Sequence, residues 1–521
     1  MKKRSVLTTI LVCLLTFTLL LASCGGSSDP VGDGNTPATN GSTQGSAVTG
    51  GKDPDQGSGR YEANVPEADF DNAEIVFLTR NAECGDFETW DLLATELQRD
   101  SMNDSIVRRN SYIEEKYNVT IAQRQYGGDV NGGQMYTAIY NNFMGGSTGD
   151  DAFHVAYCGV DDAITLATSG IFYDLSEIPY IDLSAEWWDS TAMSSLSLSN
   201  RNFFGVGDLS VQLYDTLPCL AFNKNMASAY TNLDLYDIVE SGDWTYEAFY
   251  NIIKEVYLDN DGVDGPSVGD IFGAGGQNDN LYNFFYGSNC RTVTVNQNGD
   301  PELTIYSETN ENVFAQLFEI LTDKEAFFNC NDYASVGGWQ SSPIEFVTGG
   351  FIGGRILFYS DGLLHLPELR EAEFEFGILP VPKYTAEQES YHHLIGRWGA
   401  TVITVPVNCP DLKMTTLLIE AMAAESKNTV APEYFENKLT LQSVRDSESA
   451  VSLNIIIATK GFDMGQCFRW NDLHLVLGNC LQQRQNSFYN NYQAKEQGII
   501  IGMTQTMMSY QSLPHYIELE G

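Results

Sequence analysis

Short apolar runs alternate along this chain with longer stretches whose apolar residues recur at helical spacing. The runs that predict buried strands cover residues 74–79, 119–125, 152–159, 376–382 and 399–406. Helical spacing predicts helices over residues 105–118, 243–262 and 410–426. Because strands and helices follow one another in this way, the pattern favours an α/β fold class with helices layered against sheets.

Two of the predicted helices are preceded by residues that cap a helix well. The side-chain oxygens of Thr245 and Asp411 are suited to accept the first free backbone N–H groups of the helices that follow them. The apolar stripe after Thr245, with the spacing i, i+3, i+4 and i+7, consists of Phe249, Ile252, Ile253 and Val256. We therefore expect both helices to begin directly after these caps.

The N-terminus has a different pattern, with basic residues at positions 2–4 and an apolar segment over residues 6–21. This order is typical of a secretory signal, and the segment is too short for a good membrane-spanning helix. Residues 21–24 (LASC) resemble a bacterial lipobox, in which the chain is cut before the cysteine and lipid is attached to it. The sequence therefore predicts a signal peptide over residues 1–23 and lipidation of Cys24.

Residues 24–60 are rich in Gly, Ser, Thr, Asn and Asp and contain almost no large apolar side chain. Such a segment buries too little surface to offset the entropy of ordering, so it predicts a disordered tether. A flexible coil of this length spans on the order of 30–35 Å. We expect the folded part to be lipid-anchored through this tether at the extracellular face of a bacterial cell membrane.

The composition is that of a globular protein with a strong excess of negative charge. The chain has 69 Asp and Glu residues against 28 Lys and Arg residues, a formal net charge of −41. A field of this sign repels nucleic acid and anionic lipid surfaces, so neither is an expected ligand. The eight cysteines beyond Cys24 form no C-x-x-C pair, and we expect most of them to be reduced thiols of the core.

No motif in the sequence demands an enzyme or a metal site. Residues 145–149 (GGSTG) match G-x-S-x-G, but their flanks lack the strand and helix that a serine nucleophile needs. Residues 259–265 (DNDGVDG) suggest a calcium loop, yet Val263 stands at its fifth position and no glutamate closes it, which favours a solvated loop. His392 and His393 are adjacent and converge poorly on one ion. We predict no catalytic residue, no metal and no cofactor.

Six stretches, in order along the chain, resemble motifs of the extracellular solute-binding proteins of sugar importers, a family that includes maltose-binding protein. They are YIEEKYNVTIA, ATSGIFYDLSEI, DTLPCLAFNKNMA, GDWTYEAFYNIIKEV, VTGGFIGGRILFYSDG and FGILPVPKY. Phe222 stands where the family usually has tyrosine, and Arg355 and Ile356 replace smaller residues. Two later stretches, VRDSESAVSLNII and FDMGQCFRW, resemble a large lipoprotein branch of the family. The resemblance covers roughly residues 75–470.

The resemblance implies a two-lobed α/β fold of the periplasmic-binding-protein type II, with a hinge that the chain crosses three times. The implied crossings lie near residues 209–217, 376 and 426. The implied lobe segments are 61–210 and 377–425 for lobe 1, and 211–376 and 426–521 for lobe 2. The implied function is that of a monomer that captures a carbohydrate in the cleft and delivers it to the permease subunits of an ABC importer.

A sugar ring has apolar faces and a polar rim, so its site needs flat aromatic surfaces together with carboxylates or guanidinium groups. Open α/β sheets bind ligands at the carboxyl ends of their strands. On these grounds and by the resemblance, the candidate ligand-binding residues are Arg80, Asp161, Asp215, Asp361, Trp398 and Trp470. Core packing is the alternative for Trp398 and Trp470, and we interpret Trp187, Trp188 and Trp244 as packing residues.

Two other classes of function stay open from the sequence. One is a ligand-binding sensor or adhesin lipoprotein that works without a transporter. The other is a surface enzyme that degrades polysaccharide, since 69 acidic residues always supply a pair of carboxylates. Neighbouring permease genes would favour import, whereas a neighbouring sensor-kinase gene would favour signalling.

Overall fold

The strands form two main sheets and two short two-stranded ones in the described part of this computed structural model. That part comprises residues 59–94, 96–98, 100–127, 132–146, 152–333, 344–441 and 446–516. The strand bounds are β1 Ala73–Arg80, β2 Val119–Tyr126, β3 Val155–Gly159, β4 Pro218–Asn223, β5 Phe272–Gly276, β6 Val293–Val295, β7 Pro301–Leu303, β8 Phe327–Asn329, β9 Ile356–Gly362, β10 Phe376–Leu379, β11 His393–Leu394, β12 Thr401–Thr404 and β13 Lys460–Gly461.

Helices cover both main sheets and make up most of the C-terminal part of the chain. Their bounds are α1 Ser101–Tyr117, α2 Gln134–Gly145, α3 Val160–Thr168, α4 Ser190–Ser194, α5 Lys224–Tyr230, α6 Leu235–Ser241, α7 Tyr246–Ile253, α8 Asn280–Gly287, α9 Glu308–Thr322, α10 Ile344–Ile352, α11 Leu412–Asn428, α12 Val430–Pro432, α13 Ser447–Ala458, α14 Met464–Phe468, α15 Gly478–Gln483 and α16 Phe488–Ser512. A π-helical segment spans Glu433–Leu441. Short 3₁₀ turns include Val211–Thr216, Leu363–His365 and Trp470–Leu475.

The first main sheet has the strand order β12-β3-β1-β2, and its strand β1 runs parallel to both β2 and β3. The central run Ile75–Leu78 of β1 is fully buried. A parallel strand that is covered on both faces has a continuous run of apolar residues. For this reason the apolar run at residues 74–79 predicted strand β1 correctly. This sheet forms the centre of the four-stranded lobe.

The second main sheet has the order β10-β4-β9-β5-β8, with β5 parallel to both β8 and β9. Strand β4 pairs antiparallel with both β9 and β10. Trp244 is fully buried against this sheet, with its ring centroid 5.7 Å from that of Phe358 in β9. This sheet forms the centre of the five-stranded lobe, so the α/β, two-lobed prediction is confirmed.

At least three passages of the chain between the sides of the two main sheets lie among the described residues. It leaves the four-stranded sheet's side through Val211–Thr216 and enters β4 at Pro218. It leaves β10 at Leu379 and enters β12 at Thr401. After α11, which packs on α1, it returns to α13, which packs on β10. The lobe boundaries at residues 61–210, 211–376, 377–425 and 426–521 stay predictions.

Both predicted helix caps are present. Thr245 Oγ1 accepts the N–H of Ala248 at 3.2 Å, and Asp411 Oδ1 accepts the N–H of Met414 at 2.9 Å. The helix after Thr245 ends at Ile253, well short of the predicted end at residue 262. The physical reason is tertiary pairing, because the backbone of Leu258 hydrogen-bonds that of Ile271 at 3.1 and 3.0 Å.

Two of the three tryptophans that the sequence assigned to packing share one buried carboxylate. Trp187 Nε1 and Trp188 Nε1 donate to the two oxygens of Glu420, at 3.0 and 2.9 Å. Burial raises the pKa of Glu420 to about 7, while these two hydrogen bonds act in the opposite direction. These two hydrogen bonds therefore join the segment before α4 to the middle of α11.

The eight cysteines beyond Cys24 all lie in the described residues, and no disulfide joins them. Burial raises the pKa of Cys158 to about 12, which keeps that thiol protonated and inert. The six buried cysteines are Cys158, Cys219, Cys290, Cys330, Cys467 and Cys480.

Several predictions made from the N-terminal pattern fall outside the described residues. These are the signal peptide at residues 1–23, the lipidation of Cys24 and the tether up to residue 58. Residues 147–149 of the GGSTG string also lie outside them. Within the described part, no helix combines the length and apolar character that a membrane-spanning segment requires.

Candidate functional site

Two of the predicted residues lie at the same edge of the four-stranded sheet. Arg80 is the last residue of β1, and Asp161 follows β3 in the first turn of α3. Because β1 and β3 are parallel neighbours, their carboxyl ends meet at the same edge. Both side chains are almost fully buried, and Arg80 Nη1 donates to the carbonyl of Gly399 at 3.2 Å.

Asp161 is the counter-charge of two arginines that lie far from it in sequence. Its Oδ2 accepts a hydrogen bond from Arg397 Nη1 at 2.5 Å and lies 3.5 Å from Arg469 Nη1. Burial raises the pKa of Asp161, while the charges of Arg397 and Arg469 oppose this shift. The carboxylate thus joins the β11–β12 segment to the C-terminal part of the chain.

Trp398 combines an open aromatic surface with a charged neighbour. Its side chain is 42% exposed, and the Arg397 guanidinium carbon lies 3.8 Å from the ring centroid. A guanidinium stacked on an indole is held there by cation–π attraction, which limits the motion of both groups. The residue therefore presents indole surface beside the Asp161 ion pairs.

The five-stranded lobe contributes two carboxylates, also at the carboxyl ends of parallel strands. Asp361 lies near the end of β9, and Asp279 follows β5. Burial raises the pKa of Asp361. The positive charge of His365 lowers this pKa, and the negative charge of Asp279 raises it further. Desolvation also raises the pKa of Asp279, with the charge of Arg397 opposing it. Arg397 is therefore within electrostatic reach of carboxylates from both lobes.

We call this set of residues the interlobe site; its members are Arg80, Asp161, Asp279, Asp361, Arg397, Trp398, Arg469 and His474. Burial and the charges of Arg397 and Arg469 lower the pKa of His474 to about 4, so its imidazole is neutral near pH 7. The buried polar atoms of the site that make no hydrogen bond within the described residues include these four: Arg80 Nη2, Asp161 Oδ1, His474 Nδ1 and Asp361 Oδ2, the last with His365 Nε2 at 3.8 Å. Buried polar atoms are normally paired, so these four are suited to bind the polar groups of a ligand.

Asp215 lies at the first crossing, as predicted, but its carboxylate is already bound within the chain. Tyr434 Oη donates to its Oδ1 at 2.7 Å, and Lys438 Nζ lies 3.1 Å from its Oδ2. The same ammonium group lies 3.9 Å from the ring centroid of Trp90. Asp215 thus links the first crossing to the π-helical segment Glu433–Leu441. Among the described residues, no hydrogen bond or ion pair joins Asp215 to Asp161.

Trp470 is buried, in contrast to Trp398. Its side chain is 6% exposed, its ring stacks on Phe468 at 4.7 Å, and its Nε1 donates to Thr506 Oγ1 at 2.9 Å. An indole without an open face offers no platform for a sugar ring. Packing, the alternative given for this residue from the sequence, accounts for its position.

Sequence reasoning missed Asp279, Arg397, Arg469 and His474. A signal exists for Arg397, which directly precedes the chosen Trp398, and for Asp279, which closely follows the glycine-rich strand β5. Arg469 and His474 reach the site only because the chain folds back onto α3 after residue 460. No local sequence pattern predicts such a contact.

The acidic loop at residues 259–265 lies against Asp270, and oxygens of Asp259, Asp261 and Asp270 are within 4.8 Å of one another. These carboxylates already accept backbone N–H groups of the loop itself. Asp259 Oδ1 accepts from Gly262 at 2.7 Å, and Asp270 Oδ1 accepts from Asn260 at 2.9 Å. We propose no cation site here, because these bonds explain the cluster as the framework of a solvated loop.

Comparison of the sequence with protein-family models finds no match, and neither does comparison with curated proteins. Solved structures do match in fold. One is an ABC substrate-binding protein from Listeria monocytogenes in complex with cycloalternan, with a TM-score of 0.50 and 12% identity over 85% of this chain and 100% of that chain. Another is a cyclo/maltodextrin-binding protein complexed with maltotetraose. It has a TM-score of 0.51 and 13% identity over 85% of this chain and 98% of that chain. The chain therefore has the two-lobed type II fold of periplasmic-binding-like proteins.

Proposed function

We propose that this protein is a lipid-anchored extracellular solute-binding protein that captures a carbohydrate at the interlobe site and delivers it to an ABC importer permease. The observation that carries the proposal is the open indole of Trp398 beside buried polar atoms that make no hydrogen bond within the described chain. A sugar ring needs this combination, because its C–H faces pack on aromatic surface while its hydroxyl groups bind carboxylate and guanidinium groups.

The position of the site supports a binding role that depends on lobe movement. Arg80, Asp161 and Arg397 lie at or near the four-stranded sheet, whereas Asp361 lies in the five-stranded sheet and Asp279 directly after its strand β5. A ligand that binds groups from both lobes stabilises their closed arrangement, and a permease can recognise that arrangement. Two proteins of this fold bind oligosaccharides, cycloalternan and maltotetraose, which favours an oligosaccharide over a peptide as the first ligand to test.

The proposal is one of binding without turnover. Asp161 is engaged by two arginines, and Asp215 is bound to Tyr434 and Lys438, so neither is placed as a free acid or base. A sensor or adhesin role without a transporter is the alternative, and it would use the same site.

Melting temperature tests the carbohydrate ligand directly. We expect at least one saccharide of a panel that includes maltotetraose and cycloalternan to raise the melting temperature of residues 61–521. At a hundredfold excess over the dissociation constant, binding adds about 2.7 kcal/mol to the free energy of unfolding. A panel of peptides and polyamines is the control, and a shift with those ligands alone would refute the carbohydrate assignment.

Lipidation of Cys24 is tested by a single substitution. Cys24→Ser removes the thiol to which the lipid would be attached, so we expect the variant to appear in the medium or to keep its signal peptide. The measurement is metabolic labelling with a fatty-acid analogue followed by fractionation. Wild-type protein that carries no label would contradict the anchor, while saccharide binding by residues 61–521 would be unaffected.

A further inference from the structure

The backbone directly after α14 is strained where it supplies Arg469 to the interlobe site. Arg469, Asn471 and Asp472 have φ angles of 56°, 46° and 58°, in the left-handed region that favours glycine. Three non-glycine residues of this kind among four consecutive positions persist only when the surrounding structure holds them. We call residues 469–472 the strained turn.

The C-terminal helix α16 holds the strained turn through two glycines. Gly498 and Gly502 are four residues apart and therefore share one face of the helix. A Cβ atom on Gly498 would lie 2.2 Å from Asn471 Nδ2, and one on Gly502 would lie 3.2 Å from Trp470 Cδ1. The two glycines thus leave room on this face of the helix for the side chains of Asn471 and Trp470.

Hydrogen bonds fix the turn against the same face of α16. Trp470 Nε1 donates to Thr506 Oγ1 at 2.9 Å, and Asn471 Nδ2 donates to the carbonyl of Lys495 at 3.1 Å. Lys495 Nζ also lies 3.0 Å from Asp472 Oδ2. Each residue of the turn after Arg469 is therefore bound to the helix, while Arg469 itself points to Asp161.

Both ends of α16 are anchored, which lets it act as a rigid support. Phe488, in its first turn, packs on Phe314 of α9 with ring centroids 4.8 Å apart. At its other end, Arg201 donates to the carbonyls of Tyr510, Leu513 and Pro514 at 3.0, 2.9 and 3.2 Å. Arg201 is itself held by Asp174 at 3.0 Å.

We propose that α16 is a positioning element of the interlobe site, and that its Gly498–Gly502 face holds the strained turn so that Arg469 stays beside Asp161 and His474. Trp470, Asn471 and Asp472 act through Arg469 and do not touch the ligand. The contact with Asp161 is at 3.5 Å, and the guanidinium of Arg469 is part exposed, so the ion pair alone does not fix its place. The role of Arg469 in ligand binding rests on the proposed function, whereas its positioning by α16 does not.

A ligand-free measurement tests the positioning. Gly498→Ala and Gly502→Ala should loosen the turn, because the first forces the Asn471 side-chain amide away from the Lys495 carbonyl and the second presses on the Trp470 ring. When Arg469 moves away and water enters, the pKa of His474 should rise from about 4 by at least about half a unit. Histidine titration by NMR measures this pKa, with His474→Gln to assign the resonance and with Gln505→Ala, on the exposed side of α16, as the matched control.

Helix stability does not confound this experiment. Alanine is a better helix former than glycine, so both substitutions strengthen α16 in isolation. A folded Gly498→Ala protein with the wild-type His474 titration would overturn the proposal, since Asn471 would then have moved without consequence for the site. A shift that Gln505→Ala reproduces would overturn it as well.

Saccharide affinity supplies the second test, with maltotetraose as the probe. Gly498→Ala should weaken binding at least about fivefold in the wild-type background and have almost no effect in the Arg469→Ala background. Equal effects in both backgrounds would show a general structural role and contradict positioning through Arg469. If no saccharide of the panel binds, the proposed function fails, and the His474 titration still decides whether α16 positions the turn.

Discussion

Trp398→Ala is expected to weaken saccharide binding at least tenfold, about 1.4 kcal/mol, while the unliganded protein keeps nearly its wild-type stability. The reason is the 42% exposure of this indole, whose face is in contact with the Arg397 guanidinium. Truncation therefore removes a binding surface and leaves no large cavity. Calorimetric titration with maltotetraose, or with the panel saccharide that shifts melting, measures the affinity, and a denaturant curve measures the stability.

Two buried tryptophans are the controls for this prediction. Trp244 is fully buried and Trp470 is 6% exposed, so alanine at either position should cost about 3–5 kcal/mol of stability through the cavity that it leaves. Trp470→Ala should also weaken binding, because the strained turn loses its support. If Trp398→Ala unfolds the protein and the remaining folded fraction binds normally, Trp398 belongs to the core and the interlobe site is misplaced.

Asp361→Asn is expected to stabilise the protein by roughly 1 kcal/mol near neutral pH and to weaken saccharide binding. Asp361 Oδ2 is buried without a hydrogen-bond partner in the described residues, and burial raises the pKa of this carboxyl. The Gly362 N–H, at 2.8 Å from Oδ1, and the His365 imidazole, at 3.8 Å from Oδ2, do not offset the cost of burying this charge, so it destabilises the unliganded fold. Asp264→Asn, at an exposed position, is the control and should change stability by less than about 0.5 kcal/mol.

The sign of the pH dependence follows from the direction of this shift. A carboxyl whose pKa is higher in the folded than in the unfolded state favours folding at low pH, and this contribution is lost as pH rises through the folded-state pKa. Asp361→Asn should therefore raise the free energy of unfolding by a larger amount at about pH 8 than at about pH 5. At about pH 5 the protonated His365 also offsets the Asp361 charge in the wild type. Denaturant unfolding at both pH values measures it. A variant that is less stable than wild type at pH 8 would contradict the prediction.

Much of the fold follows from local patterns in the sequence. The apolar run at residues 74–79 is a strand because a parallel strand buried on both faces needs continuous apolar side chains. Thr245 and Asp411 begin helices because their oxygens meet free N–H groups a few residues away. The end of α7 could not be predicted, since the pairing of Leu258 with Ile271 competes with the continued helix.

The candidate site also has one part that follows from local sequence and another that depends on the tertiary structure. By itself the sequence determined that Arg80, Asp161 and Asp361 stand at strand ends, because strand ends can be located from local apolar runs. Only the tertiary structure decided that Asp161 binds Arg397 and Arg469, which lie more than 200 residues further along the chain. It also decided that Trp398 is open while Trp470 packs against Gly502 of α16. The exposure of a tryptophan depends on which distant segment covers it, and that coverage is a property of the packed lobes and not of the neighbouring residues.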